Sequence, residues 1–187
     1  MEKKRKVIQD YNSFAEFYDR RYRDIQNYKF QLIFKKISLI KGIYLDAGSG
    51  TNLFFEFLKS QGNYEGIRII CVDMSREMLK IGKDKHLIDY LILGDIENLP
   101  FRTNIFNGVI SITSLQNIPT IEKGVEEIQR VLKKKGLVAI SILKKNLVLS
   151  KLHELLNKYI KNLNIIQEDE CEDWIFFRKL KEDKNSF

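Results

Sequence analysis

Three carboxylates stand at the ends of apolar runs in this chain. Asp46 follows Ile43-Tyr44-Leu45, Asp73 follows Ile69-Ile70-Cys71-Val72, and Asp95 follows Leu91-Ile92-Leu93-Gly94. The first is continued by Ala47-Gly48-Ser49-Gly50-Thr51-Asn52 and then by the helix-like Leu53-Phe54-Phe55-Glu56-Phe57-Leu58. A strand, a tight Gly-x-Gly turn and a helix start bring backbone N–H groups close to a ligand, because glycine lacks Cβ and tolerates positive φ. Asp73 lies about 20 residues past that turn, the separation at which an acid reaches a ribose diol. A polar segment, Thr113-Ser114-Leu115-Gln116-Asn117-Ile118-Pro119, follows a fourth apolar run from Phe106.

These residues need a scaffold that collects strand ends. Predicted strands at residues 43–46, 69–73, 91–96, 106–114 and 137–140 alternate with helical segments at 52–62, 75–83 and 119–132. Such alternation predicts an α/β fold with a mostly parallel sheet, whose ligands gather at the C-terminal strand ends. Ser75 is the expected N-cap of the second of these helices. Gly136 is expected to turn the last helix into the fifth strand. Further on, residues 147–161 have helical periodicity, and 163–166 and 174–177 read as two closing strands. Aromatics at near-helical spacing (Tyr11, Phe14, Phe17, Tyr18, Tyr22, then Tyr28, Phe30, Phe34) predict two helices ahead of the first strand, split near Asp24.

Residues 43 to about 145 resemble the class I S-adenosylmethionine (SAM)-dependent methyltransferases. The resemblance rests on Asp46-x-Gly48-x-Gly50, on Asp73, on Gly94-Asp95-x-x-x-Leu99-Pro100-Phe101, and on Glu127-x-x-Arg130-Val131-Leu132-x-x-x-Gly136, in that order. A dinucleotide-dependent dehydrogenase expects Gly-x-Gly-x-x-Gly; here the third glycine position holds Leu53. The resemblance implies a three-layer, Rossmann-like, seven-stranded sheet, mostly parallel, with an antiparallel C-terminal hairpin and helices on both faces. It implies one domain over 1–187: a helical cap at 1–40, a core at 41–181 and a polar tail at 182–187.

It also implies a set of binding roles. Asp73 takes the ribose hydroxyls of SAM, a charge-assisted bidentate contact. Asp46, Gly48, Gly50 and Asn52 shape the loop around the methionine end. Met74 packs on the adenine, Asp95 and Ile96 read its edge, and Ser114 and Tyr22 complete the cofactor set. Tyr18, Ser114, Gln116 and Asn117 are the candidates on the acceptor side. No general base is evident, and none is needed for an acceptor with a free lone pair. The activated sulfonium leaves alignment as the protein's main contribution.

The acceptor is less legible. A net charge of +7 permits a polyanionic partner. The run Leu87-Ile88-Asp89-Tyr90-Leu91-Ile92-Leu93 belongs to a strand at the sheet edge, where another chain can add a strand. The resemblance suggests a small zinc-binding activator protein as that chain, with an RNA or protein substrate. Thr113–Pro119, with Gly94–Phe101, also resembles the quinone-biosynthesis methyltransferases, which implies a small-molecule acceptor as the alternative to the favoured RNA or protein, and a non-catalytic SAM-binding subunit is a third reading.

Composition adds bounds. The chain has 187 residues, enough for one domain with its own core. No apolar run reaches the roughly 18 residues that span a bilayer. Cys71 and Cys171 lack metal-ligand spacing and suit a reducing, cytoplasmic setting. His86 and His153 are isolated and expected at the surface.

Overall fold

The computed structural model describes residues 2–62, 64–85, 90–145 and 148–180. Its centre is a seven-stranded sheet of β1 (Gly42–Ala47), β2 (Ile67–Asp73), β3 (Leu91–Leu93), β4 (Phe106–Ile112), β5 (Leu132–Leu143), β6 (Asn164–Ile166) and β7 (Asp173–Arg178), in the order β3-β2-β1-β4-β5-β7-β6. β3, β2, β1, β4 and β5 run parallel, whereas β7 pairs antiparallel with both β5 and β6. The expected mostly parallel sheet with an antiparallel C-terminal end is what the chain forms.

Helices cover both faces. On one side α4 (Ile121–Val131) and α5 (Leu149–Tyr159) bury Val125, Ile128, Leu152 and Leu156 against Val109, Val138, Ile140 and Phe176. On the other, α1 (Glu2–Phe34) and α2 (Leu53–Ser60) bury Phe30, Ile33, Phe54 and Leu58 against Tyr44, Ile69, Ile110 and Ile175. The central strands, covered on both faces, read as nearly continuous apolar runs, as parallel strands must. α3 (Arg76–Asp84) starts as expected: the Ser75 hydroxyl accepts the Met78 N–H at 3.2 Å.

Three expectations about elements are corrected. The two N-terminal helices are one helix of 33 residues, unbroken at Asp24. Nothing stops it, since residues 2–34 contain neither glycine nor proline. Its length, about 50 Å at 1.5 Å per residue, carries it along one face of the sheet. The third strand ends at Leu93, before Asp95. The expected glycine turn at Gly136 lies inside β5, as a register shift in which Phe106 faces Leu132 but Gly108 faces Leu137.

His86, Leu87, Ile88, Asp89, Leu147 and the tail at 182–187 lie outside the described residues, so the structure speaks to the apolar edge run only from Tyr90 onward. Among the described residues, no helix is long and apolar enough to cross a membrane.

Candidate cofactor and acceptor site

The C-terminal ends of β1, β2 and β4 converge on one cavity. Gly48 and Gly50 from the first loop, Asp73 and Met74 after β2, Ile96, and Ser114 and Asn117 after β4 all line it. The loop's conformation is specific to its glycines. Gly48 has φ 83 and Gly50 φ 54. A Cβ on Gly48 would stand 2.3 Å from the Ser114 hydroxyl oxygen, while a Cβ on Gly50 would meet nothing within 4 Å. The loop is therefore packed on one side and open on the other.

Asp73 ties this loop to the end of β2. Its Oδ2 accepts the Gly50 N–H and its Oδ1 the Ser75 N–H, both at 2.8 Å. Each carboxylate oxygen keeps a lone pair for a ligand hydroxyl. Burial raises its pKa, opposed by those two N–H groups and that of Met74.

Asp46 stands behind the loop, 3% exposed, outside the cavity lining, and its Oδ2 has no hydrogen-bond partner. Burial, with the Asp73 carboxylate nearby, pushes it up to about 8. It therefore holds a proton at neutral pH. Asn52 is fully buried with φ 65 at the start of α2, and neither polar atom of its side chain has a partner.

Asp95 also stays outside the cavity lining. Lys4 of α1 pairs with it at 2.5 Å and also with Glu97. Lys3 donates to the Ile118 carbonyl at 2.6 Å, and the Asn12 side-chain oxygen accepts the Ser75 hydroxyl at 2.6 Å. The first turns of α1 are thus laid across the strand ends, and Val7, Ile8 and Tyr11 wall the cavity, leaving it a volume of about 50 Å³.

A second cavity, of about 420 Å³, adjoins the first and shares Tyr11, Tyr18, Thr113 and Asn117 with it. One wall is the aromatic face of α1, where Phe14, Tyr18 and Tyr22 stand with ring centres 4.9–6.4 Å apart. Gln116 and Glu172 also line it. Of the expected site residues, Tyr22 and Gln116 line this second cavity and not the first. Burial pushes the Tyr11 and Tyr18 phenols up, and each hydroxyl accepts a hydrogen bond, Tyr11 from Asn117 Nδ2 at 2.9 Å and Tyr18 from Gln26 Nε2 at 3.3 Å.

The sequence reading missed Lys29 and Asp173. Lys29 of α1 pairs with Asp173 of β7 at 2.8 Å and donates to the Thr113 hydroxyl at 2.8 Å. Thr113 and Ser141 both donate to Asp173 Oδ2. The pair fixes α1 to the sheet where the two cavities meet. Thr113 itself takes φ 56, unusual for a β-branched residue, and this network holds it there. The one sequence signal was a lysine on the apolar side of a helix.

The motifs Leu99-Pro100-Phe101 and Glu127-x-x-Arg130 prove to be one structure. Arg130 donates to the carbonyls of Phe101 and Leu99 at 2.7 and 3.0 Å, and Glu127 accepts the Leu99 N–H at 2.7 Å. The loop following Asp95 is clamped to α4 by this pair.

A methyltransferase domain model matches residues 45–140. A malonyl-[acyl-carrier protein] O-methyltransferase from Buchnera aphidicola is 32% identical over 139 residues, covering 74% of this chain and 54% of that protein. The chain thus spans about half the length of this relative. Among solved structures, a SAM-dependent methyltransferase from Thermotoga maritima, described as a possible histamine N-methyltransferase, superposes with TM-score 0.76 at 19% identity, covering 94% of this chain and all of that one. The methyltransferase in a complex with the Trm112 methyltransferase activator of Haloferax volcanii gives 0.68 at 16% identity, covering 89% and 96%. Those two likenesses speak to the fold; the domain match, over half of the chain, speaks to the family. This protein belongs to the class I SAM-dependent methyltransferases.

Proposed function

We propose that the chain is an active methyltransferase that binds SAM in the first cavity and admits its acceptor through the second. The observation that carries this is the convergence of Gly48, Gly50, Asp73, Met74, Ile96 and Ser114, from three strand ends and a loop, on one cavity continuous with a larger one. The residues present fit the cofactor. Gly50 leaves open space beside a carboxylate that keeps free lone pairs, and Met74 and Ile96 offer apolar surface for a base. In this reading Asp73 holds the ribose diol, and Gly48 and Gly50 admit the methionine end. SAM supplies an activated methyl group, and the protein aligns the acceptor with it and excludes water.

The aromatic cavity supports a small acceptor, because α1 closes one side of it. A second reading rests on the sheet edge. Tyr90 and Leu93 are 49% and 54% exposed beside the edge strand β3, and the charge of +7 suits RNA. There a small zinc-binding activator adds a strand and the acceptor is RNA or protein. Cytoplasmic residence accords with Cys71 and Cys171, both free thiols.

Calorimetric titration with S-adenosylhomocysteine tests the cofactor site. Binding of about −8 kcal/mol, a micromolar Kd, that is lost in Asp73→Ala is expected; a folded chain that binds nothing overturns the proposal. Labelled SAM incubated with small-molecule, RNA and protein fractions separates the two acceptor readings.

A further inference from the structure

The loop that carries Gly48 and Gly50 is anchored at two places. At the sheet, the Gly48 and Ser49 N–H groups donate to the Val72 carbonyl at 2.7 and 3.0 Å, and the Gly50 N–H donates to Asp73 Oδ2 at 2.8 Å. At its other end, the fully buried Thr51 donates its hydroxyl to Asp19 Oδ1 of α1, 32 residues earlier in the chain. The backbone around these anchors is left-handed at alternate positions: φ is 83 at Gly48, 54 at Gly50 and 65 at Asn52. Glycine adopts this conformation freely, whereas asparagine needs surroundings that impose it. Asn52 gets no help from its own side chain, which makes no capping hydrogen bond and has no partner for either polar atom. The Thr51–Asp19 bond stands directly beside it.

Asp19 is itself held firmly. Its Oδ2 pairs with Arg23 at 3.1 Å and with Lys85 at 2.6 Å. Both cations also pair with Glu56 of α2, Lys85 at 3.1 Å. Lys85 caps the C-terminus of α3, so two acids and two bases tie α1, α2 and α3 together. Within this network the cations use Oδ2 of Asp19, and Oδ1 is left for Thr51. Neither Asp19 nor Thr51 lines either cavity.

We propose that Asp19 is a positioning residue for the cofactor: through Thr51 it sets the Gly48–Asn52 loop and couples the docking of α1 to SAM affinity. This rests on the first cavity being the SAM site. The link runs through Gly50, whose N–H orients the Asp73 carboxylate while the next residue is held by Asp19. Freeing Thr51 lets Asn52 relax toward negative φ, turns the Gly50 peptide and draws its N–H away from Asp73. Binding must then reorder the loop, and affinity falls by the fraction of chains in which the loop is no longer set, although no group that touches the cofactor has been removed.

The test titrates the full chain and its variants with S-adenosylhomocysteine and follows urea unfolding of each. Thr51→Val keeps the branched shape and removes the hydroxyl, and its affinity is expected to fall at least fivefold. Thr51→Ser restores the donor and is expected to bind within twofold of the parent chain. Glu56→Gln weakens the same ion network without touching the Thr51 bond, so it is expected to lower the urea midpoint and leave affinity within twofold. Asp19→Ala is expected to lose affinity as Thr51→Val does, and the double variant to lose less than twofold more, since both changes break one bond. The Thr51 and Glu56 variants decide the question even where Asp19→Ala fails to fold. Parent-like binding by Thr51→Val, an equal loss in Thr51→Ser or in Glu56→Gln, or additive losses in the double variant overturns the inference alone. Failure of S-adenosylhomocysteine to bind the parent chain overturns the site reading beneath it, and the inference with it.

Discussion

Lys29 Nζ stands 2.8 Å from Asp173 Oδ1, and the two side chains are 2% and 0% exposed. One residue belongs to the helix that opens the chain, the other to the strand that nearly closes it. A charge pair this deep is stable only as a pair, since removing one member strands the other in a medium that solvates it poorly. Lys29→Met is therefore expected to cost about 3–5 kcal/mol in urea unfolding. Lys29→Met with Asp173→Asn is expected to cost clearly less than the sum of the two single changes. Additive costs would show that the pair does not hold α1 in place.

The Glu127–Arg130 clamp makes a second prediction. Arg130→Ala removes two bonds to the carbonyls of Leu99 and Phe101 as well as the ion pair. At about 1.5–3 kcal/mol for a bond to a charged group, partly offset by water, a loss of about 2 kcal/mol is expected. The clamp is also acid-sensitive. Its bond to Arg130 holds Glu127 below the ordinary 4.5. A depressed carboxyl adds stability above its unfolded value, and that stability disappears as pH falls through the folded value. Glu127→Gln is expected to be less stable than the parent chain at pH 7 and to lose less of its stability on going from pH 5 to pH 3. Parallel acid profiles would contradict this.

Asp46 behaves with the opposite sign. Its carboxyl is raised from 3.8 to about 8, so the unfolded chain releases this proton several pH units before the folded one does. Folding takes up a proton across that window, and the contribution to stability falls as pH rises from about 4 to about 8. Asp46→Asn cannot ionise. Its stability relative to the parent chain is expected to rise by more than about 1 kcal/mol between pH 5 and pH 8, since one pKa unit is worth 1.36 kcal/mol. Urea midpoints at the two pH values read this directly, and a gap that does not change removes Asp46 as the source.

The strand ends were legible because their signals are local: an apolar run, an acid and a Gly-x-Gly turn each act over a few residues. The continuity of α1 was not, because Asp24 resembles a break when only its own neighbours are weighed. Lys29 was silent for a different reason. Polar side chains in a helix are usually solvated, and what holds this one in the interior is Thr113 and Asp173, more than 80 residues along the chain. The partner of Asp95 was hidden in the same way: the charge expected to face an adenine edge is met by Lys4, 91 positions before it.

That last contact has a kinetic consequence. Pockets that bury a drug-sized ligand run to roughly 300–1,000 Å³, whereas the first cavity offers about 50 Å³. Where the first turns of α1 draw back to admit SAM, the contacts resisting this include Lys4 with Asp95 and Glu97 and Lys3 with the Ile118 carbonyl. These are partly exposed pairs, each worth about 1 kcal/mol or less, so the cover is light and its opening is sensitive to single changes. Lys4→Ala is expected to raise the association rate of S-adenosylhomocysteine by about threefold, followed by stopped-flow protein fluorescence. The gain should shrink as salt is added, because salt weakens the same pairs in the parent chain. An association rate unchanged by Lys4→Ala at low salt would mean that the helix does not gate the site.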